Sequence, residues 1–590
     1  MLSRRLKEEL QSRASDGWRL VALFLVAFAV RIIYLLESRS TSPFFYAPVV
    51  DAQSYLELAQ HIVAGNWLAG DAPFWQPPGF PYLLAAFVSL FGDGVFTAVR
   101  VAHALLGAGS TVLVYLLSQH AFGRPAATLA ASCTALYGPL IYFEGELLSV
   151  ALEVFLNLAL LLTLVRATES DRMSAWALSG LVAGAAAITR PNVLLFVVVV
   201  GLAHIAQATE HTRRRTFACL TMAVMGLIVV IAPVTIRNAV VGEEFVLISA
   251  NGGVNFHIGN HARQDSMVAI HPGVDWERLV AEPLAAGSFT AGERSRYFYL
   301  RGFDSIVADP VGWLELLGHK VWQLLQGPEI KRNQDVYYAR AHSRVLSVLL
   351  WDRGLSFPHG LLAPFMLLGL VLTWRRRHPT LRLMRLFLAG YAGSVILFFV
   401  TSRYRVPIVP VATMFAAAGL QGLLARTGSG QRARLAQAGA LLVGLLLVNL
   451  QQAPPVEQDA QLQHDLGEVL LRNKSFAASA AHSRQAVALE PDYPSAWHNL
   501  AVALLGLEQP RQAEGAAHSA LALHPARADT RIVLARSLLA LGQQQSGLAQ
   551  LQHAAEQEPD NSDVQYAIGR LLLQMERPGD ALPHLQKAAQ

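Results

Sequence analysis

The chain has 590 residues, of which 53% are hydrophobic and 15% charged, and a formal net charge of +5. That balance excludes an ordinary soluble enzyme. The arginine surplus sits in short loops between apolar runs, the arrangement that orients membrane proteins, and so speaks against a nucleic-acid partner. The two cysteines, Cys133 and Cys219, lie within apolar runs and suggest no disulfide or zinc framework.

Apolar runs of about the length that crosses a ~30 Å hydrocarbon core are predicted near 19–36, 97–118, 126–143, 146–165, 175–190, 192–208, 216–236, 357–374, 383–400, 406–425 and 435–452. No small-residue cleavage pattern follows the first, which is read as a retained helix. Arg4, Arg5, Lys7, Arg13 and Arg19 place the N-terminus in the cytoplasm. Every loop that then falls inside is basic: Arg124; Arg166 and Arg172; Arg213 to Arg215; Arg375 to Arg377; Arg426, Arg432 and Arg434. Eleven spans put the C-terminus outside. The expectation is a multi-pass plasma (inner) membrane protein, its core at 1–452, with its C-terminal part and outer loops in the periplasm.

Two outer loops stand out, 37–96 and 238–356. In the first, Asp51 precedes an amphipathic helix with Tyr55, Leu56, Leu58, Ala59 and Ile62 on its apolar side, and Pro77-Pro78-Gly79-Phe80-Pro81 turns the chain back toward the bilayer. Trp67, Trp75 and Tyr82 read as an interfacial belt. In the second, Phe245–Ala250 reads as a strand ended by Asn251-Gly252-Gly253, with helical pieces around 293–326, so a mixed loop region is expected. His257 and His261, four apart, read as a surface pair and not as metal ligands.

A linker at 453–459, with Pro454-Pro455, leads into a helical region at 460–590. Here Pro491, Pro525 and Pro559 recur every 34 residues. The same register holds small residues at Gly467, Ala501, Ala535 and Gly569, leucines at 470, 504, 538 and 572, and alanines at 486, 520, 554 and 588. The pattern resembles the tetratricopeptide repeat, an α-solenoid of helix pairs, and implies a protein partner in a concave groove. A spacer or self-association module is the plainer alternative. The fold class is therefore an all-α membrane protein of about eleven transmembrane helices followed by an α-solenoid.

With this topology Asp51, Arg100, Glu144, Glu146, Arg190, Arg237, Arg403 and Arg405 all meet the outer face. Charges near hydrocarbon are costly unless paired or lining a wet cavity, so the group is read as one outward-facing polar cavity. Plainer roles exist. Asp51 suits the N-cap of a helix starting at Ala52, Glu146 suits the cap of its span, Glu144 a solvated lip and Arg100 an interfacial anchor. A carboxylate beside several guanidiniums suits a hydroxyl attacking a carbon whose leaving group is a lipid-borne phosphate: the carboxylate takes the proton and the arginines neutralise the phosphate. No Walker loop or dinucleotide fingerprint is present.

Asp51 with Tyr55, the Pro77–Pro81 turn, Glu144 and Glu146, Thr189-Arg190-Pro191, Ile236-Arg237-Asn238 with Asn251-Gly252-Gly253, and Ser402-Arg403-Tyr404-Arg405-Val406-Pro407 together resemble the multi-spanning C-type glycosyltransferases. The nearest likeness is to the group of protein O-mannosyltransferases and the aminoarabinose transferase acting on lipid A. The resemblance implies inverting transfer of one sugar from a polyprenyl-phosphate carrier to a hydroxyl acceptor, protein or glycolipid. It implies Asp51 as catalytic base and Arg403, Arg405, Arg237 and Arg190 as donor-phosphate ligands. Tyr55, Glu144, Glu146, Arg100 and Tyr404 are assigned supporting or acceptor roles. Two positions depart from the family: Ala52 stands where many members carry a second acid, and Gln76 where aminoarabinose-type members carry lysine.

The sequence points to no cofactor, and a divalent metal is compatible with the chemistry but not indicated. The competing readings are a membrane-anchored scaffold with an inactive core, a flippase for lipid-linked saccharides, and an oligosaccharide ligase or polymerase. Charged residues kept to one face, with no repeated halves, speak against the flippase.

Overall fold

The computed structural model describes residues 2–170, 172–270, 273–425 and 431–589, and only the backbone of residues 2–16. Arg426, used above for orientation, lies outside the described residues, as do the side chains of Arg4, Arg5, Lys7 and Arg13. The chain forms two compact units, Met1–Ile270 with Val280–Ala453, and His271–Leu279 with Pro454–Gln590.

The first unit is a helical membrane bundle. Among the described residues seven helices are long and apolar enough to cross a bilayer, and the bent pair Arg124–Ala135 and Gly138–Glu144 brings the number to eight. Three shorter apolar helices, Met173–Thr189, Val193–Ile205 and His359–Thr373, stand where the remaining spans are expected. Helix Arg213–Val241 packs closely on Met173–Thr189 because both present small residues at the crossing. A methyl on Gly180 would overlap the Ala223 carbonyl, one on Gly226 the Ala177 carbonyl, and one on Gly184 would stand 2.6 Å from the Val230 β-carbon. In lipid, where apolar side chains gain nothing by meeting each other, such close backbone approach supplies the association. Gly180→Leu is therefore expected to force these helices apart and lower the midpoint of thermal unfolding by several degrees, measured in detergent; an unchanged midpoint would contradict the packing.

The two long loops, 37–96 and 238–356, are helical too, and among the described residues there is no strand. This corrects the strand expected at Phe245–Ala250. That run bends at Leu247 and Ile248 and finds only fragments of a partner: Ala250 and, just after it, Asn251 donate to the carbonyls of Phe74 and Trp75 at 2.8 and 3.2 Å. Side chains of the preceding helix serve other carbonyls: Asn238 donates from Nδ2 to Val246 and Ile248 at 2.9 and 3.1 Å, and Thr235 from its hydroxyl to Leu247 at 2.7 Å. Asn251-Gly252-Gly253 then opens the helix Gly252–Gly259 rather than a turn. Its Gly253 lies against the backbone of Ser295, where any β-carbon would collide.

The second unit contains four helix pairs, from Ala460–Arg472 with Phe476–Leu489 to Ser562–Gln574 with Pro578–Ala588. The small residues of the 34-residue register stand where paired helices touch. Ala501 and Ala535 are buried, and a β-carbon on Gly467 or Gly569 would press on Ser483 or Leu585. Leu504, Leu538 and Leu572 fill the cores between them. The periodicity is thus a packing requirement repeated down the stack.

Candidate functional site

The helix Asp51–Val63 starts on Asp51 itself, and no side chain caps it. The residue before it, Val50, has φ 52° and ψ −124°. A β-branched residue rarely tolerates positive φ, and such strain concentrates where function fixes the backbone. The Asp51 carboxylate is instead ion-paired with Arg403; the carboxylate is 32% exposed and the guanidinium 5%. Burial works against the charge on Asp51. The guanidiniums of Arg403 and Arg332 and a hydrogen bond from Asn333 outweigh it and hold the carboxyl below its usual range.

Arg403 owes its place to a lacing of two segments. Ser402 donates from its backbone to the Ile330 carbonyl and accepts Ile330 N–H on its hydroxyl, both at 2.8 Å. Arg405 is buried beside it. It donates to the carbonyls of Gln326 and Pro328 at 2.8 and 3.2 Å and pairs with Glu329 at 2.7 Å. The lacing carries the next residues, Lys331, Arg332 and Asn333, to a cavity that Ala52, Tyr142, Glu146 and Arg403 also line. Arg332 leans on the Phe399 ring, 5.1 Å from its centroid, and donates to the Val268 carbonyl.

The remaining sequence-predicted residues fall into separate clusters. Glu146 lies in the turn before the helix Val150–Ser170 and does not cap it. It lines the cavity, and burial, partly offset by Arg100, pushes its carboxyl up. Arg100 is buried over the Phe45 ring and donates to the carbonyls of Gly145 and Phe96. Glu144 is not a solvated lip residue: it is 3% exposed and ion-paired with Arg31 of the first span. Arg190 pairs with Glu153 at 3.3 Å and covers the Tyr404 ring at 4.6 Å. Arg237 gathers the carbonyls of Leu68, Gly70 and Ala72 and holds the first loop's turn. Tyr55 packs on Phe80, ring centroids 5.4 Å apart, within electrostatic reach of Asp51 and Arg403. His257, expected at the surface, is buried against Phe298. Burial pushes its imidazole down to about 4.

The site thus pairs Asp51 with Arg403, sets Arg403 and Glu146 on one cavity, and adds Lys331, Arg332 and Asn333, which read in sequence as ordinary loop residues. It leaves Arg190, Arg237 and Arg405 each engaged with protein groups. Three basic side chains and a buried carboxyl around one cavity, with an ionised carboxylate paired to one of those bases, suit proton removal from a hydroxyl next to an anionic leaving group. No carboxylate–imidazole cluster that would hold a metal occurs here among the described residues. One such group, His464, Asp465 and Glu468, lies in the repeats.

Residues 75–236 match the family model of dolichyl-phosphate-mannose-protein mannosyltransferases, and residues 504–571 that of the tetratricopeptide repeat. The membrane part is glycosyltransferase-like, and the C-terminal part is a tetratricopeptide array. The mannosyltransferase-like match takes in Arg100, Glu144, Glu146 and Arg190, whereas Asp51, Lys331, Arg332 and Arg403 lie outside it. Among solved structures, MamA is 15% identical over 27% of this chain and 88% of its own, with a TM-score of 0.22. MamA residues 41 to the end, from Desulfovibrio magneticus RS-1, are 17% identical over 27% and 86%, with a TM-score of 0.21. YrrB, described as a tetratricopeptide protein with an unusual peptide-binding site, is 22% identical over 27% and 77%, with a TM-score of 0.21. No curated protein matches the chain.

Proposed function

We propose that this multi-pass membrane protein transfers one sugar from a polyprenyl-phosphate carrier to a hydroxyl acceptor at the extracytoplasmic face, with inversion. The single observation that carries the reading is the ionised Asp51 paired with Arg403, which lines a cavity together with Lys331 and Arg332. Asp51 takes the acceptor's hydroxyl proton. The freed oxygen pair bonds to the anomeric carbon as the carbon–oxygen bond to phosphate breaks, and its electrons go to the phosphate. Arg403, Lys331 and Arg332 receive that charge. Arriving donor phosphate competes with Asp51 for Arg403, so donor binding itself frees the base.

The repeats recruit a protein, either the acceptor or a partner enzyme. The test of the reading is incubation of membranes carrying the protein with a panel of radiolabelled polyprenyl-phosphate hexoses and pentoses. Label moving into a protein or glycolipid fraction supports it. No movement from any donor, with the repeats still retaining a partner, favours the inactive scaffold.

Two further results are expected. Lys331→Ala and Arg332→Ala each lose a charge-assisted contact worth about 1.5–3 kcal/mol, so donor KM rises by about 10- to 100-fold with the acceptor KM unchanged. Equal changes in both would place these residues elsewhere in the reaction. The pH profile tests the Asp51–Arg403 pair. Because Asp51 is held below its usual carboxyl value, ~3.9 for a free aspartate, the wild-type rate persists on acidification through that value. Arg403→Gln leaves burial to dominate, and the acid limb moves to higher pH. An unmoved limb would remove Asp51 from the proton transfer. The same pair contributes stability that is full above the unfolded carboxyl value and lost as pH falls through the lower folded one.

A further inference from the structure

The long outer loop does not belong wholly to the membrane unit, because its segment His271–Leu279 groups with the repeats. The contact is specific. Gly273 has φ +89°, and a β-carbon on it would stand 3.1 Å from Ser495 Oγ at the start of the helix Pro494–Gly506. The helix Val274–Ala285 begins immediately after, with Asp275 and Glu277 in its first turn. Val274 and Leu279 are buried, at 4% and 5% exposure, while Glu277 and Arg278 between them are exposed.

Arg278 donates from Nη2 to the carbonyl of Leu523 at 2.7 Å, and its Nη1 lies 3.8 Å from Asp275. Leu523 is the last residue of the helix Pro510–Leu523. The final carbonyls of a helix lack donors within it and carry partial negative charge, so an arginine there both completes a hydrogen bond and meets a favourable field. Asp275 is within electrostatic reach of Tyr493, and Glu277 and Arg278 of His524. All of these partners belong to the second helix pair and the turns flanking it.

We propose that Gly273–Leu279 is an intramolecular ligand of the tetratricopeptide array, docked on its second repeat. The array's first occupant is then a short stretch of its own chain: a glycine turn, an acidic helix start and one arginine. A protein that engages this end of the array has to displace the segment. Because the segment continues directly into Ile270 and Val280 of the membrane unit, displacement frees the loop at that point. The inference does not depend on the transfer reaction.

The test uses the full chain in detergent, with Cys133→Ser and Cys219→Ser removing the native thiols. Arg278→Cys and His524→Cys are introduced together and treated with a short bismaleimide; Arg278→Cys with Asp580→Cys serves as the control pair. The expected yield is at least ten-fold above the control and falls when a synthetic peptide of residues 269–285 is added in excess. A yield equal to the control overturns the proposal. If the cysteine variants do not elute as the wild type does, hydrogen exchange on the cysteine-intact chain decides. Amides of 277–279 should exchange at least ten-fold faster in Arg278→Ala while those of 294–308 stay unchanged, and equal rates over 277–279 overturn it.

Discussion

Replacing Asp51 with asparagine is expected to lower the transfer rate by about 10² to 10⁴, the usual cost of losing a general base. The substitution keeps the shape of the side chain and removes its capacity to take a proton, together with the charge that pairs with Arg403. Asp51 is not the helix cap, so no cap hydrogen bond is lost; the stability of the Arg403 pair is lost, and elution with the wild type checks that the variant folds. Donor binding should survive, and it should strengthen, since Arg403 no longer has a carboxylate to leave. A variant that binds donor as tightly as the wild type or more so, and turns over 100-fold or more slowly, is the predicted outcome. Rate and binding falling together would assign Asp51 to substrate placement; a full rate would remove it from the chemistry.

The largest effect on stability is expected at Arg405. Its guanidinium neutralises Glu329 and satisfies two backbone carbonyls in a site where the two side chains are 2% and 3% exposed. Arg405→Ala leaves a buried carboxylate without its counter-charge, a change that costs about 3–5 kcal/mol. The midpoint of thermal unfolding in detergent should drop sharply. Because the same contacts carry Lys331 and Arg332 to the cavity, donor affinity should fall in whatever protein remains folded. Adding Glu329→Gln removes the orphaned charge and should recover part of the midpoint but not the affinity. A midpoint unchanged in Arg405→Ala would mean that the loop is held by other contacts.

These two arginines, two positions apart in sequence, show how far the chain could be read without its structure. Ser402–Pro407 stands out in sequence as an arginine pair at a helix mouth. That one guanidinium meets Asp51, 352 positions away, while the other holds a loop, follows from the helix Ser402–Arg405 pointing them apart. No spacing rule reports that. Lys331 and Arg332 carried no signal at all, because loop lysines and arginines are common and only the lacing to Ser402 and Arg405 makes these two face a cavity.

Arg31 and Glu153 are different. Each interrupts an apolar run, and a charge in hydrocarbon requires a partner; asking for those partners would have led to Arg31–Glu144 and Glu153–Arg190. The repeats were the most legible part, since the same small and large residues recur at each helix contact. The run Phe245–Ala250 misled because its β-branched and aromatic residues suit a strand, yet it has no strand beside it among the described residues, and side chains of Thr235 and Asn238 take its carbonyls instead.

The central claim, that Asp51 and the basic wall pass a sugar from a lipid phosphate to a hydroxyl, is tested most directly with purified full-length protein. Single-turnover incubation with radiolabelled polyprenyl-phosphate sugar should follow both the labelled product and the polyprenyl phosphate released. Equal amounts of the two in the wild type, with both lost in Asp51→Asn, is the predicted result. Label transferred at the wild-type rate by Asp51→Asn, or no phosphate lipid released from any donor by a folded wild type, would contradict it.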